Sequence, residues 1–360
     1  MYLLGTPVKP GKASVIAFVS GKGGAGKSVI IGNLSACLAK NGMKVLMIDC
    51  DFFTRGLTFY MIGDKSAKAG LLEFLSDGTS VSEVKTALEV SVKDTPNLSL
   101  LPASSKTRMY SVSDLDQRAN LTVLQSLRAM YHDFQELINL VRADYDYIIL
   151  DTRSGVDPVS LLPALVADEF ILIVEEDKTS WRIGELLISE IKKLEQFLQS
   201  LTDSVQTHFK GFVLNKVTEE IPLDFVRDYL EKRVLGGKCL LQIPLERAVP
   251  MAFKDDKLVV RQSPSSVFSR KIRVMEDIIT GQIEREEREK GVKGRFLEFY
   301  TSNETVLIAV SYFTLIFGAA ASGFLEPTVV RWLYVILVIP VAVFLATGIL
   351  YRAYKIFKRK

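Results

Sequence analysis

The sequence predicts an α/β fold, in which helices cover both faces of a doubly wound, mostly parallel sheet, followed by a C-terminal transmembrane α-helical hairpin. Three observations support this prediction. Short apolar segments rich in β-branched residues alternate with amphipathic stretches of helical length, as is typical of a parallel sheet buried on both faces. A glycine-rich loop follows the first apolar segment, and two long, nearly uncharged runs lie near the C-terminus.

The predicted strands are short, and segments long enough for a helix separate most of them. The strands are expected at 14–20, 44–49, 98–102, 147–151, 170–176, 211–217 and 239–244. Apolar residues at helical spacing predict helices at 27–40, 121–142, 183–201, 223–233 and 265–279. Asn41 and Gly42 are expected to close the first helix.

The composition excludes several classes of protein. With 360 residues and 48% hydrophobic content, the chain can bury a sizeable core and is not expected to be disordered. The 45 basic and 42 acidic side chains leave a net charge of +3, which by itself does not indicate nucleic-acid binding. The three cysteines are scattered through apolar stretches, which argues against a disulfide framework or a cysteine metal cluster. The N-terminus contains no secretory signal pattern, so the bulk of the chain is not expected to be exported.

Two apolar runs near the C-terminus predict the hairpin. Residues 305–325 carry no charge and residues 328–350 carry only Arg331 near one end, and a helix of about 20 residues crosses a bilayer. The connection between the runs is so short that both outer ends must lie on one side of the membrane. Basic residues flank both outer ends, and the positive-inside rule places them in the cytoplasm. The alternative, a pair of buried core helices, is disfavoured by the length of both runs.

The chain is therefore divided into four parts. Residues 1–281 form the predicted α/β domain, 282–304 a charged juxtamembrane linker or helix, 305–350 the two transmembrane helices and 351–360 a basic cytoplasmic tail. This plan predicts a protein of the inner (cytoplasmic) membrane with two spans. Its α/β domain and both termini are expected in the cytoplasm.

The glycine-rich loop SGKGGAGKS, which begins at Ser20, predicts a nucleotide site. The pattern G-x-x-x-x-G-K-S/T is matched from Gly21 to Ser28, between a predicted strand and a predicted helix, which is the context that a phosphate-binding loop (P-loop) requires. Backbone N–H groups would bind phosphate oxygens, Lys27 would neutralise their charge, and Ser28 would ligate Mg²⁺. The expected nucleotide-binding residues of the loop are Gly21, Lys22, Gly23, Gly24, Ala25, Gly26, Lys27, Ser28 and Val29. The fold is thus predicted to be that of a P-loop NTPase.

Three aspartates at strand ends complete the predicted site. Asp151 ends the strand in YDYIILD, where a carboxylate can hold the Mg²⁺ shell. Asp49 and Asp51 lie at the end of the second strand, at the edge where open α/β sheets bind ligands. Each could instead be a loop cap or a turn residue, but beside a P-loop the functional interpretation is favoured.

Several motifs follow one another in a characteristic order. They are Lys22 in KGGAGKS, DCD at 49–51, Asp151 followed by Gly155, Asn215 in VLNK, and IPLERAVPMA from Ile243. In these motifs the chain resembles the ParA/MinD family of deviant Walker A ATPases, over nearly all of the predicted α/β domain. The resemblance implies ATP and Mg²⁺ as ligands. It also implies a homodimer in which two ATP molecules are sandwiched between the subunits.

The resemblance assigns roles to individual residues. Lys22 would reach the phosphates of the partner's ATP, so that Lys22, Lys27 and Asp51 are the candidate catalytic residues. Asp51 would position the attacking water. The residues expected to support Mg²⁺ are Ser28, Asp49 and Asp151, and those expected to border the adenine are Asn215 and Pro244.

The chain departs from the family in two places. Arg153 in DTRSG stands where the family usually has proline, and this arginine would either act in hydrolysis or pair with a surface carboxylate. MinD-type members end in a short amphipathic helix that binds membrane reversibly. A spanning hairpin inserts effectively irreversibly, so nucleotide is expected to switch dimerisation or partner binding within the membrane plane.

Three functions remain possible on the sequence alone. The favoured one is a membrane-anchored ATPase with slow hydrolysis, whose ATP-dependent dimerisation organises or regulates a membrane-associated assembly through an unidentified protein partner. The second is a bacterial tyrosine-kinase-like autokinase, although such enzymes usually place the hairpin before the ATPase domain. The third is a targeting ATPase for hydrophobic clients, which would need a methionine-rich groove that the eight dispersed methionines do not indicate.

Overall fold

The fold is described from a computed structural model of the chain. The described residues are 13–63, 70–77, 92, 95–104, 123–200, 205–219 and 221–282. The helices and strands named below belong to one unit, Met1–Thr280. The predicted transmembrane helices, at 305–325 and 328–350, lie outside the described residues. Within those residues, no helix is both long enough and apolar enough to cross a bilayer.

Seven strands form one sheet. Their bounds are β1 Ser14–Val19, β2 Val45–Asp49, β3 Leu98–Leu101, β4 Tyr147–Asp151, β5 Glu169–Glu175, β6 His208–Val217 and β7 Cys239–Pro244. The strand order is β3-β2-β4-β1-β5-β6-β7, and every pairing is parallel. The structure thus confirms the predicted strands and the predicted doubly wound sheet.

Helices connect the strands across both faces of the sheet. Their bounds are α1 Lys27–Lys40, α2 Gly56–Ile62, α3 Leu71–Asp77, α4 Val123–Val141, α5 Pro158–Val166, α6 Lys178–Gln199, α7 Leu223–Phe225, α8 Ala248–Lys254, α9 Val259–Gln262 and α10 Val267–Thr280. A π-helical segment, Val226–Leu235, continues from α7. The predicted helix at 27–40 is confirmed at both ends, and Gly42 follows it with a left-handed φ of 89°.

The predicted helices differ from the observed ones mainly at their ends and in number. Helix α6 begins five residues before the predicted start because Asp177 caps it, its side chain accepting a hydrogen bond from the Ser180 N–H. Helix α5 was missed, although Asp157 caps it and proline occupies its first turn, a common helix-start signal. The other missed helices, α2, α3, α8 and α9, have seven residues or fewer, too few to show a clear helical period.

The alternating side chains of β1 divide the core into two halves. Val15, Ala17 and Val19 belong to a buried cluster that includes residues of α4, α5 and α6. Ile16 and Phe18 belong to a second cluster that includes residues of α1 and α10. Helices therefore cover the sheet on both faces, and this leaves the carboxyl ends of the strands as the edge at which polar residues gather.

Candidate nucleotide-binding site

The P-loop lies at the point where the strand order reverses. The chain passes from β1 through α1 to β2 on one side of the sheet, whereas β5 lies on the other side of β1. In open α/β sheets the crevice at this switch point is the usual ligand site. Because all seven strands are parallel, the residues that end β2, β4, β5, β6 and β7 lie at the same edge as the loop.

Two glycines of the loop have backbone conformations that only glycine adopts readily. Gly24 has a φ of 78° and Gly26, which precedes α1, has a φ of 94°. A Cβ at Gly26 would lie 2.4 Å from Asn215 Nδ2, and a Cβ at Gly21 would lie 2.0 Å from Ile183 Cγ2. The loop is thus packed closely against β6 and α6, as a loop that turns its N–H groups onto phosphate oxygens requires.

Lys27 points into the interior of the loop. Its side chain is buried, with 7% exposure. Its Nζ donates hydrogen bonds to Ser20 Oγ at 2.8 Å and to Ser154 Oγ at 2.7 Å. Burial lowers the pKa of Lys27, against the attraction of Asp151. Among the described residues, the hydrogen-bond acceptors of this buried ammonium group are neutral hydroxyls, and such a site favours a further anionic ligand, such as a phosphate oxygen.

Ser28 and Asp151 form a pair suited to Mg²⁺. The Ser28 hydroxyl donates to Asp151 Oδ2 at 2.6 Å. The other oxygen, Asp151 Oδ1, is buried and has no hydrogen-bond partner among the described residues. Burial raises the pKa of Asp151 to about 7, although Lys27 and the Ser28 hydroxyl favour its charged form. An orphaned carboxylate oxygen beside a hydroxyl is an oxygen donor set of the kind that Mg²⁺ prefers.

Asp49 lies directly beside Asp151, because the two residues are in register on β2 and β4. Its carboxylate is fully buried and is held by the protein: Oδ1 accepts from the Asp51 N–H, and Oδ2 accepts from both the N–H and the hydroxyl of Thr58. Burial raises the pKa of Asp49 to about 6. Both oxygens are therefore engaged within the chain, so Asp49 offers Mg²⁺ less acceptor capacity than Asp151 does.

Asp51 organises the loop after β2. Its Oδ1 accepts from the N–H groups of Phe53 and Thr54, and its Oδ2 accepts from the Thr54 hydroxyl at 2.6 Å. The side chain is only half-buried. Asp51 is thus a turn residue of the loop after β2, one of the two interpretations that the sequence left open, and its part in hydrolysis stays a prediction.

Lys22 lies outside the loop interior, in contrast to Lys27. Its side chain is 42% exposed, and its Nζ contacts Glu175 Oε2 at 2.9 Å and Asp177 Oδ2 at 3.2 Å. These hydrogen bonds raise the pKa of Lys22, Glu175 contributing most. Burial opposes ionisation of Glu175, but hydrogen bonds from Lys216 and Lys22 outweigh it and lower its pKa. Lys22 is therefore charged, accessible and held by two acids of its own chain.

The residues predicted to border the base lie beside the loop. Asn215 on β6 is buried, and its Nδ2 donates to Ala25 O at 2.7 Å. Pro244 ends β7, where it pairs with Val217. Val29 contributes a backbone oxygen that accepts from Asn33 Nδ2 inside α1. The structure thus brings Asn215 against the P-loop and places Pro244 at the same sheet edge.

Four residues of this site were not predicted from the sequence: Ser154, Glu175, Asp177 and Lys216. Ser154 accepts a hydrogen bond from Lys27, and Lys216 Nζ donates to Glu175 Oε1 and to Gly24 O, both at 2.6 Å. A signal was present, because FILIVEED ends a predicted strand with acids, and strand ends of a parallel sheet meet at one edge.

Comparison with known proteins supports the same interpretation. Residues 13–203, more than half of the chain, match the family described as "AAA domain". An uncharacterized ATP-binding protein of Methanocaldococcus jannaschii is 27% identical over 267 residues, which cover 74% of this chain and 88% of that protein. The septum site-determining protein MinD of Helicobacter pylori is 28% identical over 209 residues, which cover 58% of this chain and 69% of that protein.

Solved structures share the fold. MinD of Pyrococcus horikoshii in complex with Mg-ADP has a TM-score of 0.55 at 20% identity, and the match covers 74% of this chain and 96% of that one. The complex of a Cyanothece McdA variant with ATP has a TM-score of 0.59 at 16% identity and covers 75% and 97% of the two chains.

The site fits ATP and Mg²⁺, the usual ligands of these proteins. The P-loop offers N–H groups and Lys27 to phosphate, while Ser28 and the free oxygen of Asp151 can hold a cation. When bound, Mg²⁺ neutralises charge that develops on the phosphate oxygens. The matched domain, the MinD relatives and this geometry lead to one conclusion: the chain belongs to the AAA domain family and is an ATPase of the ParA/MinD type.

Proposed function

We propose that the chain is a membrane-anchored switch, in which ATP binding drives dimerisation and slow ATP hydrolysis reverses it. The dimer would organise or regulate a membrane-associated assembly by binding a protein partner. The proposal combines the ATPase domain with the apolar runs at 305–325 and 328–350, which are long enough to span a bilayer.

The observation that carries the proposal is the different placement of the two loop lysines. Lys27 is buried and directed into its own P-loop, so it can neutralise the phosphates of the ATP bound there. Lys22 is 42% exposed and contacts acids outside the loop. A long, charged side chain at the mouth of the site can reach the phosphates of an ATP held by a second subunit facing it.

The chain's own residues would divide the work of hydrolysis. Asp51 would accept a hydrogen bond from the attacking water, Lys27 would hold the γ-phosphate, and Lys22 of the second subunit would stabilise charge on the leaving ADP. Asp51 already accepts hydrogen bonds from Phe53 and Thr54 within its own loop. Because a carboxylate oxygen can accept two hydrogen bonds, Oδ2, which accepts from the Thr54 hydroxyl, can also accept one from water.

The partner is proposed to be a protein. The chain itself is proposed to be anchored in the cytoplasmic membrane. A solved complex of MinC with MinD from Aquifex aeolicus provides a precedent for partner binding by a chain with this fold. The basic residues that flank the apolar runs favour a cytoplasmic ATPase domain. Two spans per subunit would confine the subunits to a plane and raise their effective concentration for dimerisation.

The switch is tested on the full chain purified in detergent. Light scattering should show monomers with ADP and dimers with a slowly hydrolysed ATP analogue, and free phosphate should be released from ATP. Label from γ-labelled ATP on protein tyrosine would instead support the tyrosine-kinase-like alternative. A chain that stays monomeric with every nucleotide would contradict the proposal.

Membrane anchoring is tested separately. The full chain should remain with the membrane after alkaline carbonate extraction, whereas a chain that ends at residue 281 should not. A cysteine placed in the tail after residue 351 should react with a membrane-impermeant reagent only when the cytoplasmic face is open. Release of the full chain by carbonate would contradict the proposed spans.

A further inference from the structure

Arg153 contacts the loop that carries Asp51. Its guanidinium carbon lies 4.3 Å from the centroid of the Phe53 ring, within the range of a cation–π contact. Within the described residues, its side chain also contacts Asp157, where Nη1 and Oδ2 are 3.9 Å apart. The Arg153 side chain is 39% exposed, so solvent weakens its ion pair with Asp157. The main contact of the guanidinium is therefore the Phe53 ring.

This contact joins the two loops that flank the site. Phe53 lies in the loop after β2, and its N–H donates to Asp51 Oδ1 at 3.2 Å. Arg153 lies in the loop after β4, between Asp151, which accepts from Ser28, and Ser154, which accepts from Lys27. The stack therefore connects the residues that face Mg²⁺ and phosphate with the turn that holds Asp51.

We propose that Arg153 is a positioning residue for ATP hydrolysis, which acts through the Phe53 ring to fix the loop that carries Asp51. The proposal rests on the role proposed for Asp51. Phe53 is also partly buried against the core, so packing restricts the movement of the ring on which the guanidinium lies. Movement of the loop after β4 on binding nucleotide would be transmitted through this stack to Asp51.

This contact gives Arg153, which stands where the family usually has proline, a specific role. A proline at position 153 has no side chain that could reach Phe53, so the coupling of the two loops is a property of this chain. Among the described residues, the side chain of Arg153 contacts Phe53 and Asp157 and no residue of the P-loop. The expected effect is therefore on turnover and not on nucleotide affinity.

The test compares Arg153→Ala, Phe53→Leu and the double variant, all as full chains in detergent, with Arg270→Ala as the matched control. Arg270 is exposed on α10, and its Nη1 donates to the Ser265 carbonyl. Each variant is assayed for phosphate release, for the affinity of a fluorescent ATP analogue, and for melting temperature.

Each single variant should lower kcat about two- to fivefold, the factor expected for an exposed cation–π contact, with analogue affinity unchanged. The double variant should lose no more than either single one, because both remove the same contact. Arg270→Ala should retain wild-type values. Wild-type kcat in Phe53→Leu with a loss in Arg153→Ala would overturn the proposal, since Arg153 would then act directly on phosphate. Multiplying effects, or a changed melting temperature with unchanged kcat, would also overturn it.

Asp51→Asn separates this proposal from the function on which it rests. If Asp51→Asn turns over ATP at the wild-type rate, the role proposed for Asp51 is wrong, and positioning through Phe53 falls with it. If Asp51→Asn is inactive but the Arg153 and Phe53 variants behave in one of the contradicting ways, only the positioning role is wrong.

Discussion

The protonation of Asp151 should control the affinity for Mg–ATP. Burial raises the pKa of this carboxyl to about 7, and its Oδ1 accepts no hydrogen bond from the part of the chain that the structure describes. Only the charged form is a good Mg²⁺ ligand, so binding must remove a proton wherever the carboxyl is protonated. With a pKa of about 7, roughly nine-tenths of the carboxyl is protonated at pH 6 and about one-tenth at pH 8. Affinity for Mg–ATP should therefore fall about tenfold between pH 8 and pH 6.

Calorimetry of the full chain in detergent measures this effect directly. At saturating Mg²⁺, titrations in buffers of different ionisation enthalpy give the number of protons released, which should be about one-half per site at pH 7. Asp151→Asn is the control, because it keeps the size of the side chain but cannot titrate. The variant should bind more weakly at pH 8 and should lose most of the difference in proton release and affinity between the two pH values. Equal pH dependence in the wild type and the variant would refute the reasoning.

The same pKa predicts the opposite trend for the stability of the nucleotide-free protein. Between its usual pKa of 3.8 and about 7, Asp151 is protonated in the folded chain and ionised in the unfolded chain. The unfolded state then binds fewer protons, so the free energy of unfolding falls as pH rises, by up to about 1.4 kcal/mol per pH unit. Denaturant unfolding at pH 5 and pH 7, followed by tryptophan fluorescence, measures this effect. The contribution of Asp151 should make the free energy of unfolding larger at pH 5 than at pH 7, and Asp151→Asn should reduce the difference.

Two further substitutions test the loop and its acidic contacts. Gly26→Ala should lower stability by at least about 1–3 kcal/mol and abolish ATP binding, because Gly26 has a left-handed backbone and an added Cβ would lie 2.4 Å from a side-chain amide of β6. Gly23→Ala, where a Cβ meets nothing within 4 Å, should leave the melting temperature unchanged, and equal losses in both variants would contradict the account. Glu175→Gln should weaken the ion pair with Lys22. The protein concentration at which half of the chains dimerise with ATP should then fall about two- to fivefold, measured by light scattering. Glu190→Gln, which removes the partner of Lys193 on α6, should not change dimerisation, and a weaker dimer in Glu175→Gln would mean that the acid supports the dimer.

Much of the fold could be predicted because its signals are local. The strands of a fully parallel sheet are continuous apolar runs, and α1 begins at the P-loop lysine and ends just before Asn41 and Gly42. The missed helices are short. The start of α6 is set by the cap residue Asp177, which lies just after the end of β5 and before the apolar residues that show the helical period. Local patterns therefore predicted the elements better than their ends.

The site was predictable in its motifs but not in its contacts. Ser28 and Asp151 form the expected pair, since both belong to motifs with fixed places in the fold. The contact of Lys22 with Glu175 and Asp177 joins residues more than 150 positions apart. It depends on which strand neighbours β1 in the sheet, and a single sequence does not specify that. For the same reason the stack of Arg153 on Phe53 could not be predicted, although Arg153 stood out in its motif.

The central claim is that Lys22 serves the ATP of the opposite subunit, and a mixing experiment tests it most directly. Lys22→Ala and Asp51→Asn should each be nearly inactive in phosphate release, while both still bind ATP. In a mixed dimer, the Lys22→Ala subunit keeps its own Asp51 and receives Lys22 from its neighbour, so one of the two sites is complete. An equal mixture should therefore recover about a quarter of the wild-type rate, since about half of the dimers are mixed. If Lys22 instead acts within its own subunit, every site in the mixture lacks one residue, and a mixture that stays as inactive as its components would contradict the account.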